Sequence, residues 1–176
     1  MIILITGDFG VGKDVFSNLL VEELNKINKQ AGKILSYTTR TPRNAKDFNN
    51  HRFAQYWNIT PNETYFNTHN IVAHTTINNE HYWTEKEQFT NKYNIYVIDK
   101  ASIIQVIKAD IDITMIIEVK RKKSLINIPK ERANRKQNKK KLPKFIKEPY
   151  IIENNGTIEE LHEKTKEFVK KYFTSE

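Results

Sequence analysis

At 176 residues the chain is long enough for one compact domain with inserts and too short for two full-sized domains. It contains no cysteine, which excludes disulfides, thiolate metal sites and thiol nucleophiles and favours a cytoplasmic location. The net charge of +8 is concentrated in one segment, and the opening apolar run, Met1 to Ile5, is too short for a signal peptide or a membrane span, so no membrane contact is expected.

A strand, a glycine-rich turn and a helix are predicted first. The run Ile2 to Ile5 is apolar without alternation and stops at a glycine, which is typical of a buried strand. A helix is predicted from Lys13 to about Gln30, ending near Gly32, because apolar residues recur there at helical spacing. These residues are Phe16, Leu19, Leu20, Leu24 and Ile27. A second strand is predicted from Lys33 to Thr38.

A polar stretch follows, and it predicts an excursion from the sheet over residues 44–91. Within it, Ile71 to Ile77 and Glu80 to Thr84 are strand-like segments. Asn78 and Asn79 join them, and asparagine tolerates the positive φ of a tight hairpin turn. The sequence therefore predicts a small flap that binds a substrate.

The alternation of strand and helix then resumes. Strands are predicted at Tyr96 to Asp99, Ile113 to Val119 and Tyr150 to Ile152, with a helix around Ile103 to Ile107. A final helix follows the turn 154–157 and is expected to face inward with Ile158, Leu161, Thr165, Phe168 and Val169. The chain is predicted to be a three-layer α/β protein with a central parallel sheet and helices on both faces.

One basic segment accounts for the charge. Thirteen Lys or Arg and a single acid, Glu131, lie between Lys120 and Lys147, so this stretch carries +12 and leaves −4 for the other residues. Such a run is typical of a solvated face, a lid that grips phosphate, or a nucleic-acid patch. Nucleic acid is not the expected partner, because contact through these lysines would be weak and strongly dependent on salt.

The turn after the first strand matches the G-x-x-x-x-G-K part of the Walker A signature. Its backbone N–H groups and the lysine are expected to bind the phosphates of ATP. The predicted ATP-phosphate residues are Gly7, Asp8, Phe9, Gly10, Val11, Gly12, Lys13 and Asp14. Asp14 stands where Ser or Thr usually offers a hydroxyl to Mg²⁺, so its carboxylate is either a ligand of the ion or a favourable acid in the first helical turn, with Ser17 as a spare hydroxyl.

The stretch Ser36-Tyr37-Thr38-Thr39-Arg40-Thr41-Pro42-Arg43 resembles the acceptor site of the guanylate kinase family, which begins with S-x-T-T-R-x-P-R. The resemblance implies that Ser36, Arg40 and Arg43 bind the phosphate of an acceptor nucleotide. Guanidinium groups suit this role because they bind phosphate oxygens bidentately. Without the resemblance, two arginines on a loop would be ordinary surface residues.

Two further segments resemble that family. Asn50-His51-Arg52-Phe53 is similar to its D-Y-x-F and implies that His51 replaces a phosphate-binding tyrosine. Glu80-His81-Tyr82-Trp83-Thr84 is similar to N-Y-Y-G-S, which implies Tyr82 at the acceptor phosphate and Thr84 near the base edge. The guanine-reading glutamate of the family is Ala73 here, and losing its two hydrogen bonds should cost about 1 to 3 kcal/mol of discrimination. The acceptor base is therefore left open between another purine, a pyrimidine and guanine recognised in a different way.

A second relative fits some of these residues. Ribose 1,5-bisphosphate phosphokinases share the fold, and the chain is similar to them at Asp14, His51, Ala73 and the turn 154–157. A non-catalytic guanylate kinase-like binding module is a third possibility, although such modules usually have a damaged P-loop and this chain keeps Lys13 and both signature glycines.

The resemblance also implies the remaining site residues. Asp99 ends a predicted strand where such kinases have an acid that organises Mg²⁺ or the phosphate-binding arginines, so it is expected to bind Mg²⁺ together with Asp14 unless it only caps the next helix. Asn154 and Asn155 are expected to contact adenine. Lid arginines should close over the transferring phosphate, and the candidates are Arg121, Arg132 and Arg135, with the last two preferred.

The predicted protein is thus one guanylate kinase-like P-loop domain, as a monomer or homodimer. Its core is 1–43, 92–120 and 148–176, its acceptor-binding insert 44–91 and its basic lid 121–147. It would transfer phosphate from ATP, with Mg²⁺, to a nucleoside monophosphate similar to GMP or dGMP. The predicted catalytic residues are Lys13, Arg40, Arg43, Arg132 and Arg135.

Overall fold

The computed structural model describes residues 1–122 and 148–174. Its strands are β1 (Ile2–Thr6), β2 (Ala31–Ile34), β3 (Ser36–Thr38), β4 (His51–Phe53), β5 (Ile71–Ile77), β6 (Glu80–Glu85), β7 (Tyr93–Val97), β8 (Ile113–Lys120) and β9 (Tyr150–Glu153). Its α-helices are α1 (Lys13–Lys26), α2 (Glu63–Thr68), α3 (Ile103–Lys108) and α4 (Ile158–Phe173). Short 3₁₀ turns cover Ala45–Asn49, Ala54–Trp57 and Lys86–Gln88.

These elements form two compact units. The first unit contains residues 1–33, 91–101 and the described residues from 112 onward. The second contains residues 34–90 and 102–111. The second unit is thus wider than the predicted insert 44–91, because β3 pairs with β6 and α3 is joined to β5 by two hydrogen bonds.

The first unit is built on a five-stranded sheet in the order β2-β7-β1-β8-β9. β1 is parallel to both of its neighbours, so that Ile3 lies opposite Ile95 on one side and Met115 on the other, and β8 is parallel to β9. Every residue of β1 is buried, as its apolar sequence predicted. The predicted α/β fold with a central parallel sheet is confirmed.

Helices α1 and α4 supply the apolar side chains that cover this sheet. They contribute Phe16, Leu20, Leu24, Leu161, Phe168 and Val169 to one core with β1, β7, β8 and β9. The expectation that Ile158 faces inward is wrong, because the buried stripe of α4 begins at Leu161 and Ile158 is 63% exposed. No helix within residues 1–122 and 148–174 has the length and apolar character needed to cross a membrane.

Several predicted boundaries differ from the structure, and three of them bear on the candidate site. Helix α1 ends at Lys26, before Gly32, because Asn28 and Gln30 adopt positive φ angles of 58° and 49° and end the helical run. The strand predicted from Lys33 to Thr38 is two strands, β2 and β3, which belong to different sheets. Strand β7 ends at Val97, so Asp99 lies in the loop after the strand.

The second unit contains a four-stranded mixed sheet in the order β4-β3-β6-β5. β3 is parallel to β4 and antiparallel to β6, which forms an antiparallel hairpin with β5. The predicted turn is confirmed, because Asn78 and Asn79 have φ angles of 52° and 64°. Tyr37 and Trp83 stack at 5.4 Å between ring centroids in the core of this unit.

Candidate functional site

The predicted phosphate loop lies between β1 and α1, where the Walker A signature requires it. Gly7, Gly10 and Gly12 have φ angles of 144°, 77° and 94°, a region that other residues rarely adopt. A Cβ atom at Gly7 would lie 2.3 Å from the carbonyl oxygen of Val119. The loop therefore needs glycine at position 7 both for its backbone conformation and for its close approach to β8.

Asn154 holds the other end of this loop. Its buried side chain donates a hydrogen bond from Nδ2 to the carbonyl oxygen of Val11 at 2.8 Å. A Cβ atom at Gly12 would lie 2.4 Å from that same Nδ2 atom. The side chain of Asn154 thus supports the loop conformation, while the predicted contact of Asn154 and Asn155 with adenine stays a prediction.

The ammonium group of Lys13 is partly buried and turned toward its own loop. It donates hydrogen bonds to the carbonyl oxygens of Gly7 at 3.0 Å and Asp8 at 2.6 Å. Burial lowers the pKa of Lys13, while the nearby carboxylates of Asp14, Asp8 and Asp99 act in the opposite direction. The ammonium of Lys13 therefore lies at the N-terminus of α1, within electrostatic range of three carboxylates.

Asp14 is paired with Lys33, a residue that no sequence motif indicated. Lys33 Nζ lies 3.3 Å from Asp14 Oδ1 and also donates to Asn18 Oδ1 at 3.3 Å. Its side chain is 10% exposed, against 57% for Asp14, and burial lowers the pKa of Lys33. Ser17 donates its hydroxyl to the backbone oxygen of Asp14 at 2.8 Å, so this spare hydroxyl is already engaged.

Asp99 is exposed and forms a local turn. Its Oδ1 atom accepts a hydrogen bond from the backbone N–H of Ala101 at 2.9 Å. This is an Asx turn, in which an aspartate side chain accepts a hydrogen bond from the backbone two residues further on, while the N-cap of α3 is Ser102. Its charge nevertheless reaches Lys13, so the predicted metal role of Asp99 remains open as a proposal.

A second ion pair at the carboxyl end of the sheet was missed from the sequence. Glu118 lies beside Thr6, the last residue of β1, and is buried. Its carboxylate accepts a hydrogen bond from Lys100 Nζ at 2.5 Å, and Lys120 Nζ lies 3.6 Å away. The sequence contained a sign of this ion pair, because Glu118 is an acid inside the apolar run Ile113 to Val119 and a buried carboxylate needs a cationic partner.

In the second unit, Asp47 binds both predicted acceptor arginines. Arg43 donates from Nε and Nη2 to its two oxygens at 3.0 and 2.8 Å, and Arg40 donates from Nη1 at 2.8 Å. The hydrogen bonds from Arg43, followed by those from Arg40, hold the pKa of the buried Asp47 carboxyl well below its usual range. Sequence reasoning missed Asp47, although its position four residues after Arg43 was a signal.

Arg40 is the more buried of the two arginines. Its guanidinium carbon lies 5.2 Å from the centre of the Phe53 ring, and its side chain is 13% exposed, against 46% for Arg43. Its buried Nη2 atom has no hydrogen-bond partner in the described part of the chain. Arg40 therefore keeps an unsatisfied donor beside the ion pair.

The other predicted acceptor residues lie together on the second sheet. Ser36 Oγ is 3.0 Å from Thr84 Oγ1, and Ser36 is the register partner of His51. The rings of His51 and Tyr82 are 5.8 Å apart. Ala73 is buried and pairs with Thr84, so the position of the missing glutamate adjoins this group.

A pair of histidines lies on the same hairpin. His74 Nε2 and His81 Nδ1 are 2.9 Å apart, and the Phe66 ring stacks on His74 at 4.1 Å. Burial and the neighbouring His81 lower the pKa of His74. This pair favours at least one neutral ring at neutral pH.

The lid arginines Arg132 and Arg135 lie outside the described residues. Arg121, the remaining candidate, donates from Nη2 to the carbonyl oxygen of Gly156 at 3.2 Å. Their predicted role at the transferring phosphate stays a prediction.

Comparisons with known proteins support the fold. No protein-family model matches the sequence, and no curated protein matches it. Among solved structures, the chain is similar to the guanylate kinase from Anaplasma phagocytophilum with a TM-score of 0.54 and 14% identity, covering 97% of this chain and 85% of that chain. The chain therefore has a guanylate kinase-like fold.

Proposed function

We propose that the chain is an ATP-dependent phosphotransferase of the guanylate kinase type, with a nucleoside monophosphate as the acceptor. The observation that carries this proposal is the loop between β1 and α1, which combines three glycines at positive φ with the ammonium of Lys13. Such a loop binds polyphosphate because its N–H groups and the helix dipole favour negative charge. The guanylate kinase-like fold supports the same class of function.

The donor phosphates would be bound by Lys13 and by the backbone of Gly7, Asp8, Phe9, Gly10, Val11 and Gly12. Lys13 would exchange its hydrogen bonds to two loop carbonyls for bonds to phosphate oxygens. This exchange costs little because the ammonium already lies in the loop, and the phosphate contacts are charge-assisted.

The acids around Lys13 fit the Mg²⁺ that ATP implies. Asp14 and Asp99 both expose carboxylate oxygens, the ligand type that Mg²⁺ prefers. Both lie within electrostatic range of Lys13. When bound, the ion would neutralise charge on the donor phosphates.

The acceptor phosphate would be bound by Arg40 and Arg43. Asp47 fixes both guanidinium groups and leaves the trio with one net positive charge. Ser36, His51, Tyr82 and Thr84 would complete the acceptor site, and Arg132 and Arg135 would stabilise the transferring group. The acceptor phosphate is itself a nucleophile, so the reaction needs alignment and charge more than a strong base.

An ATP-consumption assay tests this function. The acceptors should include GMP, dGMP, the other nucleoside monophosphates and ribose 1,5-bisphosphate. We expect turnover with at least one nucleoside monophosphate and a loss of roughly 100-fold or more in Lys13→Ala. Lys92→Ala, at an exposed lysine, is the matched control and should keep full activity.

Each alternative has its own result. A preference for ribose 1,5-bisphosphate would assign the chain to that group of kinases. ATP binding without turnover on any acceptor would favour a binding module. Unchanged activity in Lys13→Ala would mean that the donor site lies elsewhere.

A further inference from the structure

The contact between Lys33 and Asp14 joins two charged groups of very different exposure. The side chain of Lys33 is 10% exposed, while the Asp14 side chain that it contacts is 57% exposed. Asn18, one turn further along α1, accepts a second hydrogen bond from Lys33. Two side chains of the helix thus hold the ammonium beside an acid that an ion in solvent can also reach.

The Lys33 ammonium and a divalent cation would repel each other if both contacted the Asp14 carboxylate. Like charges a few ångströms apart repel, and the repulsion is stronger near a protein surface than in bulk water. The 3.3 Å separation of Lys33 Nζ and Asp14 Oδ1 is at the long end for a charged hydrogen bond. The pair is therefore weak enough for a metal ion to displace.

We propose that Lys33 is a positioning residue that competes with a divalent cation for the Asp14 carboxylate and has to release this carboxylate when the cation enters with the nucleotide. This role rests on the proposed function, because the cation is the one that would accompany the nucleotide. Lys33 then sets how much free Mg²⁺ the donor site requires.

The first test measures binding of Mn²⁺ alone to the full chain by electron paramagnetic resonance. We expect Lys33→Met to bind Mn²⁺ about three- to tenfold more tightly than the unmodified protein, because it removes the competing charge. Lys33→Arg, which keeps the charge, should behave as the unmodified protein. Lys92→Met removes the same charge from an exposed lysine and should change the affinity less than twofold.

Asp14→Asn identifies the carboxylate concerned. In the Asp14→Asn background, adding Lys33→Met should produce no gain in Mn²⁺ affinity. A gain that persists in the double variant would overturn the proposal. Equal Mn²⁺ affinity in Lys33→Met and the unmodified protein would also overturn it. Should Lys33→Met fail to fold, Lys33→Gln keeps a polar group for Asn18 and provides the same comparison.

The second test adds the β,γ-imido analogue of ATP and measures its affinity by calorimetry with Mg²⁺ and with EDTA. We expect the ratio of the affinity with Mg²⁺ to that with EDTA to be larger in Lys33→Met than in the unmodified protein, and an unchanged ratio would contradict the role of Lys33 in the Mg²⁺ requirement of the donor site. Failure of the analogue to bind any variant would overturn the proposed function, while the Mn²⁺ titration would still decide the role of Lys33.

Discussion

The phosphate loop and the arginine pair both present positive charge, but the chain holds them in different ways. The loop is held mainly by its backbone conformation, because its glycines adopt positive φ angles and Gly7 lies close to the backbone of Val119. In the second unit, a buried carboxylate, Asp47, fixes two flexible side chains. When backbone conformation fixes a site, the residues responsible are adjacent in the sequence and form a recognisable motif. When an ion network fixes a site, an essential residue can lie outside the motif.

Gly7→Ala should break the backbone-held region most severely. The new Cβ would meet the Val119 carbonyl at 2.3 Å, and φ would remain at 144°. We expect the free energy of unfolding to fall by about 3 kcal/mol, measured by urea denaturation. Gly10→Ala, at a φ of 77°, controls for backbone conformation and should cost about 1 kcal/mol. Equal losses in the two variants would contradict the importance of the approach to β8.

Asp47→Asn should break the region held by ions. An amide cannot neutralise two guanidinium groups, so we expect a loss of about 3 kcal/mol at neutral pH, measured by urea denaturation. The exposed acid of the same unit, Glu63→Gln, is the control and should cost less than about 0.5 kcal/mol.

The pH dependence of this loss has a definite sign. The pKa of Asp47 is lower in the folded protein than in the unfolded chain, so its contribution is complete above the unfolded value of about 3.9. The difference between the two proteins should shrink as the pH falls below that value. A difference that is independent of pH down to acid unfolding would contradict the charge explanation.

A double-mutant cycle of Gly12→Ala and Asn154→Ala would sharpen the comparison, because it separates a side-chain contact from a backbone preference within the loop. Asn154→Ala removes the hydrogen bond to Val11 and should cost about 1 kcal/mol. It also removes the atom that a Cβ at Gly12 would meet. Gly12→Ala should therefore cost about 1 kcal/mol less in the Asn154→Ala background. Additive costs would mean that the φ of 94° alone requires glycine.

The smallest effect concerns the histidine pair in the second unit. The folded pKa of His74 lies below its unfolded value of about 6.5, so its neutral form stabilises the fold above that pH. This contribution should be lost as the pH falls from about 6.5 toward the folded value. His74→Gln should reduce that pH dependence by less than about 0.5 kcal/mol, because the ring is partly exposed. Thermal melts of His74→Gln and the unmodified protein at pH 5 and 7.5 would measure it.

Local patterns predicted the parts of the fold that depend on local physics. The apolar run of β1, the loop motif and the Asn78-Asn79 turn each contain their structural cause within a few residues. The division of one predicted strand into β2 and β3 could not be predicted, because it depends on which sheet each half pairs with. The helical pattern of α4 also gave a wrong prediction that Ile158 is buried, because packing determines where the buried stripe of the helix begins.

The candidate site follows the same distinction. The arginines were identified by their motif, but Asp47, Lys33 and Glu118 were not. Asp47 was overlooked although it lies only four residues after Arg43, whereas the partners of Lys33 and Glu118 are brought near by the fold. Lys33 lies 19 residues from Asp14, and Glu118 lies 18 residues from Lys100. Nothing in a single sequence connects positions at such separations, although a buried acid in an apolar run remains a signal to examine.

The strand order has a consequence for how the protein is made. β1 is translated about 90 residues before β7 and about 110 before β8, yet it lies between them in the finished sheet. Until β7 has been made, the nascent chain carries β1 without either of its sheet neighbours, and β8 follows only when residues near 120 have left the ribosome. Pairings of such long sequence separation form slowly, so the loop between β1 and α1 receives its neighbouring strands only late in synthesis.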